Sequence, residues 1–428
     1  MKIETRKYLF LAMVLLNFLS LQVHAQENGV HFEKDLSWEQ IKAKAKASHK
    51  YIFVDVFATG DESCKWMDNE VFESSKVGEF IGSKFIAVKI QGDSTKSDKD
   101  QVKSWYATAV RMKNEFRTMN YPAFLFFSPE GQLVHKFNAG AVADTSFMAI
   151  AKNALNPDKQ YVSILKKYKE GRLGFAQMPY LVKNASQLHE TDIAKMVSTD
   201  YIDTYLFKLK EQELFTKENL TFMSQYLNDT ESKAFKLFMK YSEKVNAVLG
   251  KDKAEYALRA TISNDYLRGI EPEKKPNFDW FGLKNTIKSK FGEIGLEAMY
   301  GKQMGYYKNA EDWNNFGKYF VLYFEKALKR PEYMINNIAW TVFEKVEDQK
   351  VLECAIGVMK YDIETWDQQA ADAHDTYANL LYKAGKKELA IEWEEKALKL
   401  SRNNKEILET LEKMRNGQQT WPEAVVKP

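Results

Sequence analysis

Cys64 is a candidate reactive residue, because it lies just past a predicted strand and at the start of a predicted helix. The strand is the apolar, β-branched and aromatic run Tyr51–Phe57. Helical spacing of apolar residues begins near Asp61, so Cys64 should lie in the first helical turn. Because that turn leaves backbone N–H groups unpaired and carries partial positive charge, it suits an anion or a reactive thiol.

The residues around Cys64 resemble thioredoxin, and more closely the thioredoxin-like family of bacterial envelope proteins. The family pattern is a hydrophobic strand with an Asp, a short segment ending in Trp, and then Cys-x-x-Cys-Lys-x-Met followed by Val-Phe. Asp55 stands at the buried Asp of the family, and Cys64 and Lys65 stand at the second Cys and its Lys. The resemblance continues through residues 85–140 and implies an α/β thioredoxin fold over residues 30–155.

The departure from the family pattern lies at its first Cys. Asp61 occupies that position, and Gly60 occupies the position of the preceding Trp. Thiol–disulfide exchange needs one Cys that attacks and a second Cys that resolves the mixed disulfide. The two-thiol cycle therefore cannot run within this domain, and Asp61 is instead predicted to cap the helix with its carboxylate.

Cys64 is the tentative catalytic residue, and three interpretations of it are open. It could be a small buried residue packed against the sheet, with Asp61 and Glu62 opposing its ionisation. It could be a single-thiol nucleophile that forms mixed disulfides with a partner. It could also form a disulfide with Cys354, since these are the two cysteines of the chain.

A second predicted part of the site is Tyr121-Pro122, which precedes an apolar strand. The resemblance implies a cis bond here, beside the Cys loop, with the Tyr121 backbone available to pair with an extended peptide. The alternative is that Pro122 only begins the strand. Asp55 is predicted to be a buried carboxylate, and the predicted binding residues are Gly60, Asp61, Glu62, Ser63, Tyr121 and Pro122.

The N-terminal segment and the net charge limit which classes of protein this chain can belong to. Residues 1–25 have a basic start, an apolar run and a small-residue cleavage site, which predict a secretory signal peptide; the alternative is an N-terminal membrane anchor. Cleavage takes the formal net charge from +3 to about +1, which gives no indication of nucleic-acid binding. We expect an exported protein, periplasmic or extracellular, with no stable membrane insertion after cleavage.

The chain has no signature of a metal or cofactor site. Its six His residues are scattered, with none at ligand spacing from another His or Cys. No Gly-rich phosphate loop, Ser-centred elbow or paired-carboxylate signature stands out. We therefore predict no cofactor and no metal.

From residue 158 onward the pattern predicts helix after helix. We place a helical domain at 158–270 and a second helical region at 277–415, separated by a Pro-containing break at 268–276. The predicted helix N-caps are Asp144, Thr216 and Asp229.

The last helical region resembles a tetratricopeptide repeat over residues 375–400. The small residues that allow close helix packing in such repeats have counterparts at Ala378, Gly385, Ala390 and Ala397. Glu394 departs from the pattern, because it stands at a position that is usually aromatic.

The combined interpretation is an exported thioredoxin-fold protein followed by an all-α, partly tetratricopeptide-like domain. We expect its degenerate site, residues 61–64, to bind a peptide or protein partner in the cell envelope rather than to run a two-Cys redox cycle. The helical surface could hold such a partner, or could only support the N-terminal domain. The alternative function is a single-Cys thiol–disulfide oxidoreductase or isomerase that uses Cys64 with an external resolving thiol.

Overall fold

The computed structural model describes residues 29–117, 120–138, 140–272, 278–327 and 335–422. The predicted signal peptide at 1–25 lies outside the described residues, as does Pro276 in the predicted break. Proximity of Cα atoms divides the chain into two compact units, which separate in the sequence between Tyr201 and Ile202. The helices between residues 158 and 201 therefore fall in the same unit as the sheet.

A five-stranded mixed sheet organises the first unit. Its strands are β1 (Phe32–Glu33), β2 (Tyr51–Phe57), β3 (Phe85–Gln91), β4 (Ala123–Phe127) and β5 (Leu133–Phe137). The strand order is β1-β3-β2-β4-β5, with β3 parallel to β1 and β2, and β4 antiparallel to β2 and β5. The central strand β2 is buried on both faces, which explains its near-continuous apolar run. The predicted α/β fold is confirmed.

Helices lie on both faces of this sheet, and further helices follow it in the chain. They are α1 (Trp38–Ser48), α2 (Glu62–Trp66), α3 (Ser75–Lys84), α4 (Asp100–Ser104), α5 (Tyr106–Phe116), α6 (Asp144–Ala154), α7 (Tyr161–Lys169), α8 (Met178–Gln187) and α9 (Thr191–Thr204), and α2 continues into a π-helical segment, Met67–Phe72. Alternate side chains of β2 and β4 enter two apolar layers. Phe53 and Phe124 pack with Phe147 of α6 on one face, while Val54 and Leu125 belong to the layer of α1 on the other.

One helix of this unit begins with a capping pattern that is present in the sequence, Ser37-x-x-Gln40, and another does not begin where predicted. Ser37 and Gln40 form a reciprocal capping box at the start of α1. The predicted Asp144 cap is wrong: Asp144 is the first residue of α6, the cap is Ala143, and the Asp144 carboxylate accepts the N–H of the next residue instead.

The second unit is all helical in its described residues, in line with the predicted tetratricopeptide-like region. Its helices are α10 (Glu211–Leu214), α11 (Lys217–Gln225), α12 (Lys233–Lys240), α13 (Ser242–Leu249), α14 (Lys253–Thr261), α15 (Trp280–Asn309), α16 (Trp313–Ala327), α17 (Ile335–Lys345), α18 (Gln349–Thr365), α19 (Ala371–Lys383), α20 (Lys387–Leu400) and α21 (Lys405–Arg415). Thr216 caps α11 as predicted. Asp229 is not a cap, because Ser232 accepts the first-turn N–H of α12.

Candidate functional site

Asp61 caps the helix that carries Cys64. Its backbone is extended, with φ −69° and ψ 124°, and its Oδ1 accepts a hydrogen bond from the Cys64 N–H at 2.9 Å. The exposed Gly60 before it has φ 85°, a left-handed conformation that glycine adopts without strain. This turn and cap hold the Asp61 carboxylate at the helix N-terminus, where the helix dipole favours an anion.

Cys64 is buried, with 3% of its surface exposed. Burial raises the pKa of its thiol to about 12, a hydrogen bond with the Ala58 backbone lowers it, and the Asp61 and Asp55 carboxylates raise it further. At neutral pH the sulfur is therefore a protonated thiol, and the thiolate is the form that attacks disulfides. Cys64 and Cys354 are both free cysteines in this structure.

The outer surface of this turn is polar with one exposed aromatic ring. Glu62 is exposed and its carboxylate pairs with the Lys65 ammonium at 2.7 Å. An exposed pair of this kind contributes little to stability. Ser63 is half-buried, and Trp66 leaves 42% of its surface exposed. The turn therefore presents both charge and apolar area to solvent.

Tyr121-Pro122 lies at the same end of the sheet as the Asp61 turn. The strand register pairs Val56 with Ala123, so the chain leaving β2 and the chain entering β4 are neighbours. The Tyr121–Pro122 bond is cis, as predicted. Pro122 is buried and Tyr121 is half-buried. The fold thus brings the two predicted halves of the site to one edge, although they are about 60 residues apart in the chain.

The segment after β3 joins these two halves, which the sequence analysis did not anticipate. The Gly92 N–H donates to the Phe57 carbonyl at 2.8 Å, and the Gly92 carbonyl accepts from the Tyr121 hydroxyl at 3.1 Å. A Cβ at position 92 would lie 2.6 Å from the Tyr121 ring, so glycine allows this close approach. Asp93 adds a second link, because its Oδ1 accepts the Thr59 N–H at 3.0 Å.

Asp55 is a buried carboxyl group in the middle of β2, with 1% of its surface exposed. Burial raises its pKa to about 7, while the Lys89 ammonium opposes this rise. Its Oδ1 has no hydrogen-bond partner among the described residues. The group therefore changes charge near neutral pH, with a thiol and not a thiolate as its sulfur neighbour.

Lys89 is the site residue that sequence reasoning missed. It stands opposite Asp55 in the β2–β3 register, with its Nζ 3.8 Å from Asp55 Oδ2. The same ammonium forms an ion pair with Asp68 and lies 4.7 Å from the centre of the Phe57 ring. The available signal was that Lys89 is the one charged residue in the strand sequence FIAVKIQ. Only the register, however, identifies its partner.

Two further observations concern metal ligands and membrane-spanning helices among the described residues. No group of three or more His, Cys, Asp or Glu side chains among them is arranged to hold a metal ion. No helix in the same part of the chain has both the length and the apolar character needed to cross a membrane.

Comparison with a family model agrees with this geometry. Residues 38–155 match the family model of a thioredoxin-like domain. A solved structure titled DsbH Oxidoreductase is 17% identical to this chain; the match covers 32% of this chain and 92% of that one, with a TM-score of 0.25. No curated protein sequence matches the chain. The family match, together with the sheet order and the position of Cys64, identifies residues 38–155 as a thioredoxin-like domain.

Proposed function

We propose that the thioredoxin-like domain is a binding module for an extended peptide or protein segment and does not run a two-thiol redox cycle. The binding edge comprises the Asp61 turn, residues 60–63, the exposed ring of Trp66 directly after it, and Tyr121-Pro122. Its partner is a peptide or protein of the cell envelope. Export to the periplasm or beyond is part of this proposal and derives from the composition of residues 1–25.

The Asp61 cap is the observation that carries the proposal. Disulfide exchange starts with a thiolate at the helix N-terminus, and the carboxylate there cannot form a bond to sulfur. The Asp61 Oδ1 already accepts the Cys64 N–H, so the position is filled by an anion that stabilises the helix. The Asp61 carboxylate thus supplies a negative charge where the family has a thiolate, but it cannot carry out disulfide exchange.

The single-thiol alternative requires an accessible Cys64 thiolate. Its burial and its pKa of about 12 both oppose this requirement. In a Cys354→Ser background, we expect Cys64 to resist thiol-modifying reagents until the protein is unfolded. Rapid labelling of the folded protein, at the rate of a small free thiol, would favour the alternative over the binding module.

A gain-of-function variant tests the missing thiol. Dithiothreitol reduces insulin disulfides slowly by itself. We expect wild-type protein not to raise that rate, and Asp61→Cys to raise it measurably. Glu70→Cys is the matched control, since it adds a thiol at an exposed position of the π-helical segment. Wild-type activity at an ordinary thioredoxin-like rate contradicts the proposal.

Binding is tested on an array of extended peptides, with the proposed edge altered in one variant. Trp66→Ala removes the exposed ring beside the turn, and aromatic side chains are enriched among the residues that dominate interfaces. We expect this variant to lose the peptides that wild type retains. Trp366→Ala is the control, because that ring is 61% exposed but belongs to the helical unit. Equal retention by all three proteins contradicts the assigned edge.

A further inference from the structure

A cavity of about 340 Å³ lies between α12 and α15 of the helical unit, apart from the residues of the proposed binding edge. Most of its lining consists of three apolar side chains and three lysines: Phe235, Met239, Phe291, Lys236, Lys240 and Lys290. The volume lies at the lower end of the range of about 300–1,000 Å³ that is usual for small-molecule sites. It therefore suits a small ligand better than a stretch of polypeptide.

The buried part of the lining is apolar. Phe235 of α12 and Phe291 of α15 are both buried, and their rings meet edge to face with centroids 5.8 Å apart. Met239 is half-buried and lies one turn after Phe235 on the same face of α12. Helix α15 breaks at Gly292, directly after Phe291, where φ is 61°. An apolar ligand group that covers this part of the lining is removed from water, which is favourable.

Two of the lysines carry a positive charge that no carboxylate neutralises. Lys240 and Lys290 are exposed, and neither forms an ion pair with a residue that the structure describes. The Lys240 Nζ lies 4.9 Å from the centre of the Tyr241 ring, and the Lys290 Nζ lies 5.2 Å from that of Tyr266. A ring face attracts an ammonium group but leaves its net charge unchanged. Both ammonium groups are therefore available to an anion.

The other polar side chains of the lining are already paired. Glu231 forms an ion pair with Lys236 at 3.3 Å. The N–H and the hydroxyl group of Thr230 both donate to Asp265 Oδ2, at 2.9 and 2.8 Å, and Asp265 is not part of the lining. Three lysines and one glutamate give the lining a formal charge of +2 (3 − 1), so charge complementarity favours an anionic ligand.

We infer that this cavity binds a small organic acid with an apolar body, whose carboxylate pairs with the Lys240 and Lys290 ammonium groups. The apolar body covers Phe235, Met239 and Phe291. Acetate or inorganic phosphate supplies the charge but leaves these three side chains in contact with water. An uncharged alcohol of the same shape covers them but leaves both ammonium groups without an anion. The combination of the two features therefore selects the ligand.

Ligand-observed NMR titrations of the protein at low ionic strength test this inference, with 4-phenylbutanoate as the probe. We expect it to bind wild type, and its affinity to fall as salt is added. The alcohol 4-phenyl-1-butanol, acetate and inorganic phosphate should each bind more weakly by about tenfold or more. A short peptide that ends in Leu-Phe with a free carboxylate is the comparison for a protein ligand. Tighter binding of this peptide than of 4-phenylbutanoate overturns the assignment to a small acid.

Variants place the binding in this cavity. We expect Lys240→Gln and Lys290→Gln each to weaken 4-phenylbutanoate about threefold, and the double variant about tenfold, because each exposed charge pair contributes modestly. Lys251→Gln is the matched control, since Lys251 is an exposed lysine of the same unit that lies outside the lining. Absence of binding to wild type, or equal affinity in the double variant, overturns the inference and leaves the function proposed for the Asp61 edge untouched.

Discussion

Asp55 and Glu394 are both removed from water, one in each unit, but their neighbours have opposite charge. Asp55 lies beside the Lys89 ammonium, and its pKa rises from 3.8 to about 7 because of burial. Glu394 faces another carboxyl group, Asp375, and its pKa rises from 4.5 to about 10, again with burial as the main cause. Desolvation raises the pKa of both carboxyl groups. The Lys89 ammonium opposes this rise for Asp55, whereas the Asp375 carboxyl adds to it for Glu394.

The difference changes which groups balance the charge. Asp55 carries a charge that changes near neutral pH, and Lys89 compensates that charge within the domain. Asp375 has a carboxyl group, Glu394, as its neighbour and accepts a hydrogen bond from the Asn379 amide, and burial raises its pKa to about 6. The Asp55 charge is therefore balanced by a cation, whereas the Asp375–Glu394 pair is stabilised by keeping a proton.

The largest expected effect is on the pH dependence of stability: Glu394→Gln should remove a loss of native stability that wild type shows as pH rises. Above pH 4.5 the unfolded state has lost this proton while the native state keeps it, so native stability falls as pH rises toward about 10. Glutamine cannot ionise, so the variant should gain stability over wild type by up to about 1.4 kcal/mol per pH unit in this window. Urea unfolding at a series of pH values measures the difference.

Glu392→Gln on the same helix is the control for that series, because it removes an exposed carboxyl group and leaves the buried Glu394 in place. A flat difference for Glu394→Gln above pH 7 would show that Glu394 is ionised in the native state, and the contrast with Asp55 would disappear.

Asp55→Asn should show the same sign over a narrower range. The stability of wild type attributable to this group falls as pH rises from 3.8 to about 7, and it is constant above that value. The advantage of the variant should therefore grow by up to about 1.4 kcal/mol per pH unit below pH 7 and then level off. Continued growth above pH 8 would mean that Lys89 does not lower the pKa of this carboxyl.

Lys89→Met tests the cation directly at pH 8. Removing the ammonium leaves the buried Asp55 carboxyl without its cation and with the Asp68 carboxylate nearby, so Asp55 is either held as a buried anion or takes up a proton. The expected cost is about 2 kcal/mol in unfolding free energy, less than for a fully buried pair. In the Asp55→Asn background the same change should cost clearly less, because no buried charge remains. Lys65→Met, which removes the exposed pair with Glu62, should cost less than about 1 kcal/mol.

Asp61→Ala has the smallest expected effect, about 1 kcal/mol, typical of the loss of a helix N-cap. Ser74→Ala is its matched control, because Ser74 is the N-cap residue of α3 but makes no side-chain cap hydrogen bond. Thermal unfolding of both variants measures the difference. Equal melting temperatures would contradict the role of the Asp61 carboxylate in stabilising this turn.

Local patterns predicted those features of the fold that depend on neighbours in the chain. The strands, the capping box of Ser37 and the cap of Asp61 each follow from a few consecutive residues. The same logic failed at Asp144 and Asp229, where another residue starts the helix. Asx side chains can satisfy several nearby N–H groups, so sequence identifies the helix end better than the residue that caps it.

The candidate sites show a similar limit. The sequence marked Asp61 and Glu394 as departures from family patterns, but gave no indication of which side chains from other segments lie beside them. Lys89 became part of the Asp55 environment only through strand register, and Gly92 joined the two halves of the edge through hydrogen bonds across three segments. Such partners are distant in sequence and carry no local signal.

What the sequence by itself determined is the absence of a thiol at position 61, since a carboxylate cannot attack a disulfide in any fold. It also determined the periodicity that yields a sheet domain followed by helices, because burial of apolar side chains follows from spacing along the chain. Only the tertiary structure decided which charged side chains are buried and which side chains lie next to them. The pKa of a carboxyl depends on its solvent exposure and on neighbours supplied by other segments.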